Sequence, residues 1–140
     1  MDASRFLGES FDVLRDSYPM SQPQDRFSDE SVESSEFTSE SAEHGIEAIL
    51  DGEQHVVTLF LDPAVCEELP LGLDKSLSPS QLVDILGLVD SANPEQDVPP
   101  FGRVGAWYRW LLDFGYLHIE FAVGGGTITR VTLMTHEKAP

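Results

Sequence analysis

The chain has one cysteine in 140 residues, few cations and no long apolar run, and each shortage removes a class of protein. With Cys66 alone an internal disulfide is impossible, and cysteine-rich zinc sites, which draw on several thiolates or imidazoles at short spacing, are excluded. Cys66 precedes Glu67 and Glu68, whose charges oppose thiolate formation, so it reads as a small apolar residue rather than a nucleophile. Apolar runs such as Val56-Val57 and Leu111-Leu112 break within a few positions, well short of the ~20 residues of a membrane-spanning helix. A basic stretch followed by an apolar one is also missing after Met1-Asp2-Ala3-Ser4-Arg5, so the chain, taken as complete, is expected in the cytoplasm.

Lysine and arginine number 8 against 25 aspartates and glutamates, a formal net charge of −17. The imbalance is uneven: residues 1–70 carry 17 acidic and 3 basic groups, residues 71–140 carry 8 and 5. Nucleic acid and anionic membrane would be repelled, whereas a basic protein surface would be attracted.

Catalytic constellations are missing too. None of His44, His55, His118 and His136 belongs to a ligand pair, so no metal is expected. His118 and Glu120 lie two apart on a predicted strand, compatible with an acid/base pair but better read as a solvated sheet face. Gly124-Gly125-Gly126 is followed by a strand pattern rather than a helix, which makes it a hairpin turn and not a phosphate cradle. No nucleophile, base and orienting group can be assembled, and the reading is a non-enzyme without cofactor.

The patterns that are present predict an α+β domain spanning residues 1–140. Ser10 opens a short helix over residues 11–17. Ser78, Pro79 and Gln81 form an N-cap, first-turn proline and capping box for a second helix that Gly87 stops in the left-handed region, with Leu82, Ile85 and Leu86 inward. Residues 44–50 and 56–61 around Asp51-Gly52, and 116–123 and 128–134 around the glycines, read as hairpins rich in β-branched residues. A further strand over 103–111 carries Trp107, Tyr108 and Trp110, and the proline-containing stretch 89–102 before it is expected to be an ordered loop. Together these give an antiparallel sheet of about five strands with two short helices on one face, arranged as a degenerate helix-plus-hairpin duplication over residues 1–62 and 71–135. Residues 19–43, rich in serine and acid, are expected to form a mobile loop.

Two surfaces suit partner binding. One is the acidic segment with Asp25, Asp29, Glu30, Glu33 and Glu36. The other is the sheet face bearing Tyr116, His118 and Glu120 together with an outward member of the Trp107, Tyr108 pair.

The runs Leu71-Gly72-Leu73, Ser78 to Gly87, Gly105-Ala106-Trp107-Tyr108-Arg109, Leu117 to Phe121 and Ile128 to Met134 resemble small bacterial proteins encoded beside secreted toxins. The similarity is to polymorphic-toxin and type VI secretion immunity proteins on a helix-plus-sheet unit of the SmpA or β-lactamase-inhibitor-protein kind. It implies neutralisation of a cognate cytoplasm-acting toxin by one-to-one occlusion of a basic active-site cleft, the free protein being a monomer. The competing expectation is an acidic secretion chaperone. Such chaperones usually end in a helix and are obligate dimers, whereas this sequence ends in a strand pattern.

Overall fold

Two three-stranded antiparallel meanders, each preceded by a helix, share one sheet through their last strands. The computed structural model describes residues 2–26, 36–124 and 126–137. In chain order the helices are α1 (Phe11–Ser17) and α2 (Pro79–Leu86). The strands of the first half are β1 (Gln24–Asp25), β2 (Phe37–Ser41), β3 (Ile46–Leu50) and β4 (Val56–Leu61). Those of the second half are β5 (Ser91–Asn93), β6 (Gln96–Val98), β7 (Gly102–Val104), β8 (Trp107–Leu112), β9 (Gly115–Phe121) and β10 (Ile128–Met134). The main sheet has eight strands in the order β1-β2-β3-β4-β10-β9-β8-β5, all antiparallel, and β6 and β7 form a separate hairpin.

The expected α+β architecture with an antiparallel sheet is present, but the strand count is larger than five. The additional strands fall where the sequence is polar. Within 19–43, expected as a loop, β1 and β2 are paired strands and Ala42–His44 is a 3-10 turn, while residues 27–35 lie outside the described part. In 89–102, β5 forms one edge of the sheet and the β6–β7 hairpin begins. The expected strand 103–111 is divided between β7 and β8, with Gly105 and Ala106 at the break. In the first half β2 adds a third strand to the expected hairpin, and in the second β8 takes the place of the expected strand before the hairpin, so each half is a helix followed by a three-stranded meander.

Strand alternation separates the two faces of the sheet. Cross-strand register aligns Ile46, Leu61, Val131, Ile119 and Tyr108 on one face and, one step along, Ala48, Leu59, Leu133, Leu117 and Trp110. These residues join Phe6, Phe11, Leu14, Leu69, Leu73 and Leu82 in one core, which places both helices on this inner face. In α2 both capping-box bonds are made, Gln81 N–H to Ser78 Oγ at 3.3 Å and Ser78 N–H to Gln81 Oε1 at 2.8 Å. The helix is rotated so that Leu82 is fully buried and Ile85, expected inward, is exposed. Gly87 follows with φ +90° but ψ −160°, a conformation open to glycine alone, though outside the left-handed helical well expected. Its carbonyl accepts the indole N–H of Trp110 at 3.1 Å, tying the helix end to β8. Ser10 occupies the N-cap of α1 without a side-chain cap bond.

The β3–β4 turn is organised by Asp51 rather than by Gly52. The Asp51 carboxylate accepts from Glu53 N–H at 3.0 Å and His55 N–H at 2.9 Å, and the left-handed residue is Gln54, φ +60°. Asp51→Ala is expected to lower stability by about 1 kcal/mol, the usual cost of losing a local side-chain cap, measured by urea unfolding. Gln54→Gly, which relieves the positive φ, should be neutral or stabilising in the same assay.

Candidate protein-binding face

The outer face of the sheet carries the groups set opposite the core. Register places Arg109 across from His118 and His118 across from Thr132, while Trp107 faces Glu120 and Glu120 faces Arg130. Tyr116 pairs with Leu111 on β8 and Met134 on β10. The Trp107 and His118 rings stack at 4.8 Å between centroids. The Arg109 guanidinium lies 5.7 Å from the Trp107 ring and 5.8 Å from that of Tyr116, and the Arg130 guanidinium sits 4.1 Å over Phe60. Asn93 on β5 accepts from Trp107 Nε1 at 3.3 Å once its amide is turned to suit, which holds the indole against the sheet. Leu111 is exposed and adds an apolar flank. The side chains are dense enough that Thr58, Thr132 and Ile49, all on this face, are buried beneath them.

Electrostatics on the face are unusual for so acidic a chain. Among the described residues Arg15, Arg26 and Arg103 each have a carboxylate within 4 Å, whereas Arg5, Arg109 and Arg130 have none, and two of these three stand on this face. Burial, then the charges of Arg109 and Arg130, push the His118 imidazolium down to about 4. Two polar atoms here, Arg109 Nε and His118 Nδ1, are enclosed without a hydrogen-bond partner.

The depressed His118 value has a consequence for stability. The folded state holds the neutral ring, while an unfolded histidine takes up a proton near 6.5, so stability is present above 6.5 and is lost as pH falls from 6.5 towards 4. With the ring half-buried, the loss is expected to be about 1–3 kcal/mol. His118→Gln should flatten that part of a pH series of urea midpoints. An unchanged slope between pH 6.5 and 4.5 would assign the acid sensitivity to other groups.

The sequence-predicted site residues separate into distinct places. Trp107, Tyr116, His118 and Glu120 come together on the outer face. Tyr108 does not join them: it lies on the inner face, 6.2 Å from Trp110 and edge-on to Phe121 at 5.8 Å. Asp25 and Glu36 are near the opposite edge of the sheet, where Glu36 pairs with Arg26 at 2.9 Å. Six strand spacings separate β1 from β8, about 29 Å. Asp29, Glu30 and Glu33 lie outside the described residues. Residues the sequence reading did not single out are Arg109, Leu111, Phe60 and Arg130; the alternation Trp107, Arg109, Leu111 along β8 carries the signal for two of them.

Elsewhere, Cys66 is buried, with its thiol 3.6 Å from the Gly45 carbonyl and its pKa raised chiefly by burial rather than by Glu67 and Glu68. It borders a cavity of about 310 Å³ shared with Tyr18, Glu43 and His44. Among the described residues no three His, Cys, Asp or Glu side chains are grouped to hold a metal, and no helix is long and apolar enough to cross a membrane. Comparison with protein-family models, curated proteins and solved structures finds no match to this chain.

Proposed function

We propose that this chain is an immunity protein that binds a cognate secreted toxin one-to-one and occludes its active site. The observation that carries the reading is the outer sheet face, where Trp107, Tyr116, His118 and Leu111 form an aromatic and apolar patch on strands anchored from behind by one core. Trp, Tyr and Arg are the residue types that dominate binding energy at protein interfaces, and a patch preorganised on a sheet loses little side-chain freedom on docking. A charge of −17, concentrated in the first half, would steer a toxin whose cleft is basic because its substrate is anionic. The helix-plus-meander plan repeated in the two halves is in keeping with a duplicated inhibitor scaffold. In this role the protein needs no cofactor or catalytic group of its own, and it would act in the cytoplasm.

The test is co-purification of the tagged protein with the product of the adjacent upstream gene, read by size exclusion with light scattering, and growth of cells expressing that product with and without this chain. A one-to-one complex with rescue of growth is the expected result. A complex of two copies with an extended segment, without rescue, would replace the proposal with a secretion chaperone.

A further inference from the structure

The two halves of the outer face differ in sign. On the first half β2 and β3 present Glu40 and Glu47, and Glu40, Glu47 and Asp62 line a shallow depression of about 430 Å³ together with Phe60 and Arg130. On the second half, apart from the half-buried Glu120, the charged group facing outward between β5 and β9 is Arg109, which has no carboxylate within 4 Å among the described residues. An arginine held without an acid in a chain with three acids per base is an open valence. Its guanidinium lies near both the Trp107 and Tyr116 rings, 5.7 and 5.8 Å from their centroids, and its enclosed Nε has no hydrogen-bond partner among the described residues. The stacked Trp107–His118 pair and exposed Leu111 border it with apolar surface.

We infer that the Trp107–Arg109–Tyr116–His118 cluster is a receptor for a side-chain carboxylate that stands next to an aromatic side chain on a protein partner. The carboxylate takes the guanidinium fork, where charge-assisted and bidentate bonding is strongest, and the aromatic ring packs along Trp107 and Leu111. Charge complementarity selects this occupant over a nucleic acid, whose phosphates would meet the same arginine while the rest of the surface repelled them. The inference rests on the proposed binding role and adds to it that the partner's footprint is itself two-signed, basic towards β2 and β3 and acidic-aromatic towards β8 and β9.

The experiment needs no toxin, so it stands or falls separately from the immunity reading. The isotope-labelled full chain is titrated with 3-phenylpropionate and, in parallel, with uncharged 3-phenylpropanamide, and followed by NMR at the Trp107 indole, the His118 ring and the Arg109 side chain. Expected is saturable perturbation of those signals by the carboxylate, reduced about threefold or more with the amide and with Arg109→Gln, and partly restored by Arg109→Lys. Equal response to both probes, response centred elsewhere, no response, or shifts at these residues that depend on protein concentration without probe, which would make the occupant a second copy, would each overturn the inference. The two probes on the unaltered chain decide the matter even if Arg109→Gln does not fold.

Discussion

Gly105→Ala is expected to be among the most damaging single substitutions in the chain. A Cβ at this position would overlap the Phe121 carbonyl oxygen far inside van der Waals contact, with the Phe121 carbonyl carbon at 2.9 Å and that of Ala122 at 3.1 Å. All three are main-chain atoms in or just beyond β9, so no side chain can turn aside to relieve the clash. The strand must move instead, which breaks the Phe121 N–H to Ala106 carbonyl bond of 2.9 Å and displaces the start of β8. A loss of about 3 kcal/mol or more is expected by analogy with overpacked cores, and because domains of this size hold only about 5–15 kcal/mol, thermal unfolding should move down by roughly 10 °C. Trp107 is two residues away, so a folded fraction should also show altered indole shifts. Normal stability in Gly105→Ala would mean that β8 and β9 approach less closely than described.

Trp110→Ala is the second large effect. The side chain is fully buried, is the bulkiest in the core, and joins two interactions of different kind. Its removal should cost about 3–5 kcal/mol through lost transfer energy and the cavity left behind. The Gly87 carbonyl would also lose its donor, leaving the end of α2 without its tie to the sheet. Trp110→Phe separates the two contributions: it retains most of the volume and gives up the hydrogen bond, and about 1–3 kcal/mol is the expected cost. Urea midpoints of the three proteins check this ordering. If Phe is as harmful as Ala, the hydrogen bond matters more than the packing.

How much of this architecture could be read beforehand differs from strand to strand, for reasons visible in the residues. The strands β4 and β10 have the bounds expected of them because Val56 to Leu61 and Ile128 to Met134 are apolar and β-branched, and α2 has its expected bounds because its start is written in Ser78, Pro79 and Gln81. The strand β2 was hidden because two of its three inward positions, after Phe37, are serines. Ser39 and Ser41 are buried, and Ser39 Oγ donates to the Ser21 carbonyl at 2.5 Å while Ser41 Oγ lies 3.2 Å from His44 Nδ1. Further bonds from Ser21 N–H to the Glu40 carbonyl at 2.8 Å and from Glu40 N–H to Ser21 Oγ at 3.0 Å complete the pairing. Local polar satisfaction replaces the hydrophobic alternation on which strand recognition depends. The site was legible in part for the same reason. Alternation placed Tyr116, His118 and Glu120 on the outer face, but the phase of the Trp107–Tyr108 pair is set by the break at Gly105 and by register with β9, neither of which a single strand reveals. Arg109 is conspicuous only once its lack of an acid partner is seen in three dimensions.

The join between the halves has a kinetic side. Strand β10 is the last in chain order, yet it lies between β4 and β9, with hydrogen-bonded neighbours on both sides. During synthesis the first meander must therefore wait with β4 as an open edge, and the β8–β9 pair with β9 open, until residues 128–134 have left the ribosome. Only then can both edges be closed, so the sheet acquires its continuity late and, at β4, through contacts between residues some seventy positions apart, the kind of pairing that slows folding and prolongs exposure of unpaired strands.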